Sequence, residues 1–170
     1  GKHILVMLST GPVKYDAGNQ FELPTGETVN LRDTFPANGL YEIGSTTPLW
    51  SVNWNDWKHQ VKISRDGRYM AHINVYGDGS YQKRKGGTLT WGLKFYENGK
   101  EIKSHDVKDM VDFPSLMRFT TWDWHLLWYD GWSLTEADSG GFVDVRTSTR
   151  DTFRFDLTTG EIVWETRFWR

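Results

Sequence analysis

Large apolar side chains recur at every second position along several stretches of the chain. In Leu89-Thr90-Trp91-Gly92-Leu93-Lys94-Phe95 they take alternate places, and from Tyr69 through Ala71, Ile73 and Val75 they alternate with Met70, His72, Asn74 and Tyr76. A period of two sends successive side chains to opposite faces, so both stretches read as half-buried strands. The run Ile4 to Leu8 is too short to span a bilayer and reads as a buried strand. Helical spacing is confined to Ser104–Val111, where Ser104 offers a cap and Val107, Met110 and Val111 fall on one side, enough for a turn or two.

Turn residues punctuate these runs. Asp66-Gly67, Asn98-Gly99 and Asp130-Gly131 sit between apolar–aromatic segments, and Thr25-Gly26 and Thr159-Gly160 do the same. At each, a residue tolerant of positive φ is expected to reverse the chain tightly. Thr34–Gly39 and Tyr76–Gly87 read as loops. No low-complexity linker divides the chain, so residues 1–170 are expected to form a single all-β domain.

Phe21-Glu22-Leu23-Pro24-Thr25-Gly26-Glu27-Thr28-Val29 and Phe155-Asp156-Leu157-Thr158-Thr159-Gly160-Glu161-Ile162-Val163 are identical at six of nine positions. A looser copy, Phe95-Tyr96-Glu97-Asn98-Gly99-Lys100-Glu101-Ile102, keeps the leading Phe, the glycine turn and the acidic–apolar exit. Three related hairpins imply repeated sheet units.

The residues Val61-Lys62-Ile63-Ser64-Arg65-Asp66-Gly67-Arg68-Tyr69 resemble the Ser-x-Asp-Gly hairpin of bacterial β-propeller repeats. Phe153–Trp164, with its Asp-x-x-Thr-Gly turn, is similar to the outer hairpin of quinoprotein-like repeats. The resemblance covers about a third of the chain and carries folding information; it points to a blade and to no particular activity. Propellers close with four to eight blades of roughly 40–50 residues. The glycines Gly26, Gly99 and Gly160 are 73 and 61 residues apart. The expectation is therefore two or three blade-like antiparallel meanders that do not close a ring, with a β-sandwich as the alternative. Open edges must then be covered, charged or paired with another copy, which makes a homo-oligomer one expected outcome. Trp164, Phe168 and Trp169 could supply its apolar contact, although an ordinary core role is the first expectation for them.

Composition adds limits. The 170 residues carry 20 Lys and Arg against 22 Asp and Glu, a net charge of −2, which provides no global field for nucleic acid. Cys is absent, which excludes disulfides, thiolate metal sites and a cysteine nucleophile. Resemblance to bacterial repeats, together with a start at Gly, leads to the expectation of an exported protein, periplasmic or extracellular.

Candidate chemistry is sparse. Asp138-Ser139-Gly140-Gly141 resembles the nucleophile loop of chymotrypsin-like proteases, but Ala137 stands where glycine belongs, and the segment reads as a turn. The histidines His3, His59, His72, His105 and His125 lack the spacing of a zinc site, and no metal or cofactor is implied. Asp123 and His125 share a strand face, where the carboxylate could orient the ring in a polar site, or both could face solvent beside a core stripe of Trp122, Trp124, Leu126 and Trp128. The acids Glu97, Glu101, Asp106, Asp109, Glu161 and Glu165 occupy places where solvated charge is normal.

The richest feature is the ten tryptophans. Trp50, Val52 and Trp54 share a strand face, and the two tryptophan rings are expected to enter the core. Trp57 lies near a turn, where an exposed ring could stack on a glycan or a peptide with Asn53, Asn55 and Asp56 as hydrogen-bonding neighbours. The candidate ligand-binding set is Trp54, Asp56, Trp57, His59, Tyr76 and Tyr81. The leading expectation is a non-enzymatic binding or interaction module for a glycan or protein ligand. The alternatives are a carboxylate- or His-dependent hydrolase and a self-assembling structural subunit.

Overall fold

The computed structural model describes residues 2–8, 20–54, 60–74, 91–111, 118–119, 126–137 and 140–168. It is all-β, built of open antiparallel sheets. Among the described residues the helices are two single turns, α1 (Leu31–Thr34) and α2 (Val107–Met110), and no helix is long and apolar enough to cross a membrane. Backbone contacts divide the chain into two compact units, Gly1–Trp57 with Asn98–Lys100, and Lys58–Glu97 with Glu101–Arg170.

In the first unit β1 (His3–Val6), β4 (Asn38–Glu42) and β5 (Pro48–Val52) form a three-stranded sheet with β4 in the middle. Leu40 and Tyr41 of β4 and Trp50 of β5 are buried, while Ser51 is exposed and Val52 and Trp54 are half-buried. The alternation expected of the Trp50 stretch is thus present. The loop expected over Thr34–Gly39 is shorter than predicted: Asn38 and Gly39 already belong to β4, and α1 ends at Thr34. Gly39 is opposite Ser51, and a Cβ there would lie 2.1 Å from the Trp50 carbonyl oxygen, so close strand approach takes the place of a turn. A small hairpin, β2 (Gln20–Glu22) and β3 (Thr28–Asn30), completes the set.

The second unit holds two four-stranded meanders. One runs β6 (Gln60–Ile63), β7 (Tyr69–Ile73), β8 (Trp91–Glu97) and β9 (Lys100–Asp106). The other runs β12 (Tyr129–Ala137), β13 (Gly140–Thr147), β14 (Thr152–Asp156) and β15 (Ile162–Thr166). A two-stranded ribbon, β10 (Arg118–Phe119) and β11 (Leu126–Leu127), lies between them in sequence. Ala71, Ile73, Leu93 and Phe95 from the first meander share one core with Val143, Val145, Phe153 and Phe155 from the second, joined by Trp128 and the α2 residues Val107 and Met110. Burying each of the Val, Leu, Ile, Phe and Met side chains among these contributes about 1.5–3 kcal/mol against leaving it in water.

The central strands β7 and β8 are covered on both faces, with Met70, His72 and Tyr96 buried opposite the shared core. This corrects the half-buried reading of those segments. The second meander does alternate: Val143 and Val145 face inward, while Asp144 and Arg154 pair across its outer face at 2.7 and 2.9 Å. Helix α2 is capped by Asp106, whose N–H donates to the Asp109 carboxylate at 3.2 Å, and Ser104 is still within β9.

The glycine turns fall largely where expected. Asn98 and Gly99, with φ of 48° and 78°, form the two-residue reversal between β8 and β9 that demands positive φ at both places. Asp130-Gly131 is not a reversal; it is a β-bulge inside β12, between the pairs Tyr129–Thr147 and Gly131–Arg146. The second meander turns between β13 and β14 without glycine. Thr147 N–H donates to the Asp151 carbonyl at 2.8 Å, and Arg150 supplies the positive φ of 72°.

Candidate functional site

A concavity of about 460 Å³ lies in the first unit, lined by Arg32, Pro36, Ala37, Asn38, Ser51, Val52, Asn53 and Gly99. Its walls come from the segment after α1, the exit of β5 and the glycine turn at residue 99. Each wall is fixed by identifiable bonds.

Asn38, buried at the start of β4, is the brace. Its Oδ1 accepts from the Leu8 N–H at 2.9 Å and its Nδ2 donates to the Trp54 carbonyl at 2.9 Å. An amide side chain is required because one group must accept on one side and donate on the other. Tyr41 fixes the opposite wall: its hydroxyl donates to the Ala37 carbonyl at 2.6 Å, and the Phe35 ring meets the Tyr41 ring edge-on at 5.0 Å. Arg32 Nη2 donates to the Leu8 carbonyl at 2.7 Å, which seats the guanidinium in the lining. Gly99 permits close packing, since a Cβ there would stand 2.4 Å from the Ser51 carbonyl oxygen.

The lining therefore offers a guanidinium, the Asn53 amide and the Ser51 hydroxyl above the small apolar surfaces of Pro36, Ala37 and Val52. An amide and a hydroxyl each donate and accept hydrogen bonds, whereas a guanidinium only donates.

Of the residues singled out in sequence, Trp54 is half-buried and adjoins this concavity through the Asn38 bond to its carbonyl. Asp56, Trp57, His59, Tyr76, Tyr81, Asp123 and His125 lie outside the described residues. So do Trp122 and Trp124, whereas Trp128 is in the core with its Nε1–H donating to the Asn74 carbonyl at 2.5 Å. Trp164 and Phe168 are 52% and 50% exposed, which overturns the core role expected for them. Asn53 was legible as a hydrogen-bonding neighbour of the tryptophans. Arg32, Asn38 and Ser51 were not, because what makes them a site is the return of β4 beside β5.

Several other charged groups are engaged with opposite charges. Arg68 pairs with Glu97, Lys94 with Glu101 at 2.7 Å and Lys103 with Glu161 at 2.8 Å. The Lys103 ammonium holds the Glu161 carboxyl below its ordinary value. His72 is buried with its ring 4.9 Å from that of Trp91. Among the described residues, no three His, Asp or Glu side chains converge as metal ligands would. The buried cluster Thr147, Thr149 and Asp151 is bonded within itself and to nearby backbone: Thr149 Oγ1 donates to Asp151 Oδ2 at 2.7 Å, the Asp151 N–H donates to Thr147 Oγ1 at 3.0 Å, and the Phe168 N–H donates to Asp151 Oδ1 at 2.7 Å.

No protein-family profile, curated protein or solved structure matches this chain.

Proposed function

We propose that the protein is a propeller-like binding module whose ligand occupies the Arg32–Asn53 concavity. The observation that carries this reading is the brace of Asn38, which ties three segments around a preformed hollow of about 460 Å³. That volume is within the range of small-ligand sites, and the mixture of fixed polar groups over a small apolar floor suits a saccharide. The blade reading is supported by the two meanders with strands in sequential order and by the Ser64-x-Asp66-Gly67 turn. In that turn Ser64 Oγ donates to Asp66 Oδ1 at 2.5 Å and accepts from the Tyr69 N–H at 2.9 Å.

The test is tryptophan emission against a panel of mono- and disaccharides. A saturable change is expected, and it is expected to vanish in Ser51→Leu, which loses the hydroxyl and fills the hollow. A panel without response, or a response unaltered by Ser51→Leu, contradicts the reading.

A second reading, self-assembly, is favoured by one observation. The outermost strand β15 exposes Val163 at 51% and Trp164 at 52%, with Phe168 close behind. Edge strands of this kind invite pairing, although Glu161 and Glu165 and the bulge opposite Arg154–Phe155 moderate it. Light scattering should show a mass that rises with concentration and returns to that of a monomer in Val163→Lys. A monomer mass at all concentrations removes this reading.

A further inference from the structure

The repeated glycine turns differ in what they touch. Gly160, between β14 and β15, is buried, and a Cβ there would lie 2.5 Å from Lys103 Cβ and 2.9 Å from Phe95 Cδ2, on the last two strands of the sheet that precedes it in sequence. Gly99, between β8 and β9, is half-buried, and a Cβ there would lie 3.1 Å from Trp50 Cε3 on β5, again the last strand of the preceding sheet. In both, the bare glycine lets the turn seat against an aromatic ring. Gly26 makes the same kind of turn, with φ of 81°, in the nonapeptide that shares six of nine residues with that of Gly160. Yet Pro24 through Thr28 are exposed, and no described atom lies within 4 Å of where a Gly26 Cβ would stand. Leu23 is only half-buried, whereas its counterpart Leu157 is fully buried.

One last strand is likewise uncovered. β5 receives Gly99 and the β8–β9 pair receives Gly160, whereas β15 exposes Val163 at 51% and Trp164 at 52%. We infer that the Gly26 turn of one copy seats on Val163 and Trp164 of another, with Trp164 supplying the ring that Trp50 and Phe95 supply within the chain. The inference rests on the self-assembly reading and adds to it the surface that meets β15. Both halves are exposed in the same chain, so they do not cover each other there. A second copy carries the complement of each. Two different patches in contact make a heterologous interface, which propagates into a ring or a filament rather than stopping at a two-fold dimer.

The experiment is light scattering on two variants of the whole chain, alone and mixed. Gly26→Asn installs a residue that tolerates positive φ and points its side chain into open space, so its melting temperature should stay within about 4 °C of the wild type while its assembly is lost. Val163→Lys removes the other half, and each variant alone should be a monomer. Mixed in equal amounts, they should form particles of twice the monomer mass and no larger, because Gly26→Asn still offers β15 and Val163→Lys still offers the turn. The chain has no Cys, so a second pair reads the contact without touching the glycine. Mixed under oxidant, Thr25→Cys and Val163→Cys should cross-link unlike chains; links between like chains alone, or none, overturn the seating. A mixture that stays monomeric, or Gly26→Asn assembling as the wild type does, also overturns it and leaves assembly through β15 standing. A wild type that is monomeric at all concentrations overturns both.

Discussion

His105 Nε2 lies 2.7 Å from the carbonyl oxygen of Gly160. A carbonyl can only accept, so the ring must carry its hydrogen on that nitrogen. The contact joins β9 of one meander to the β14–β15 turn of the other, and the His105 ring stands 5.0 Å from Phe155 and 6.1 Å from Phe95. Removing the donor leaves a buried carbonyl unsatisfied, at a cost of about 1–3 kcal/mol. His105→Leu should therefore lower the melting temperature by several degrees, with His105→Gln recovering part of the loss. Differential scanning calorimetry checks both.

Arg150 adopts φ of 72° in the β13–β14 turn, and its backbone bonds match those of Gly26 in the β2–β3 turn. Gly26 N–H donates to the Leu23 carbonyl at 2.8 Å, and Arg150 N–H to the Thr147 carbonyl at 3.0 Å. Left-handed backbone costs an L residue about 1 kcal/mol or more, partly offset by the greater freedom of glycine when unfolded. Arg150→Gly also gives up the approach of its guanidinium to the Phe168 ring at 5.3 Å. A net gain of about 0.5 kcal/mol is expected in urea unfolding. A loss would mean that the contact with Phe168 outweighs the backbone strain.

Two turn aspartates set an acid limit on stability. The Ser64 hydroxyl holds the Asp66 carboxyl below its usual 3.8. Burial pushes Asp156 up, but hydrogen bonds from Thr158 and Thr159 outweigh it and leave that group lowered as well. Both are deprotonated more readily folded than unfolded, so their stabilisation is complete above about pH 4 and is lost as pH falls through the folded values. Replacing both by Asn, which keeps an acceptor, should flatten the decline of stability below pH 4 and leave the slope near pH 7 unchanged. Chemical unfolding at a series of pH values measures this directly.

Asn38→Leu should cost about 2 kcal/mol or more, because the Leu8 N–H and the Trp54 carbonyl both lose their partner in a buried setting. Asn38→Asp keeps the acceptor for Leu8 and loses the donor to Trp54. It is expected to loosen the β5 exit and weaken ligand binding while unfolding less readily than the leucine variant. Comparing saccharide affinity with the urea midpoint separates the two effects.

The strand content and four of the five glycine turns were legible because both depend on local rules, period-two burial and positive φ. The repeated nonapeptides show where such rules stop. Both form glycine hairpins, with Gly26 and Gly160 at φ of 81° and 72°, yet Phe21 pairs with Val29 while Phe155 pairs with Ile162. The one-residue shift follows from the substitutions between them. Asp156 draws in the N–H groups of Thr158 and Thr159 at 2.7 and 3.1 Å, whereas Pro24, the counterpart of Thr158, has no N–H to give.

Tertiary facts were hidden. Asp130-Gly131 carries the same dipeptide signal as Asp66-Gly67, but the register of β12 against β13 places it in a bulge. The exposure of Trp164 follows from β15 being the outermost strand, which its apolar sequence does not disclose. The concavity was half visible: Asn53 and Trp54 stood out beside their tryptophan neighbours, while Asn38 lies in a stretch that reads only as a loop and Arg32 in one that carries no signal.

The ligand site is tested most directly by backbone amide chemical shifts recorded while the saccharide that most changes tryptophan emission is added to the ¹⁵N-labelled chain. Shifts that saturate together at Ala37, Ser51, Val52, Asn53 and Gly99 are the expected result. Shifts confined to β15, or none at any of those five amides, would contradict it.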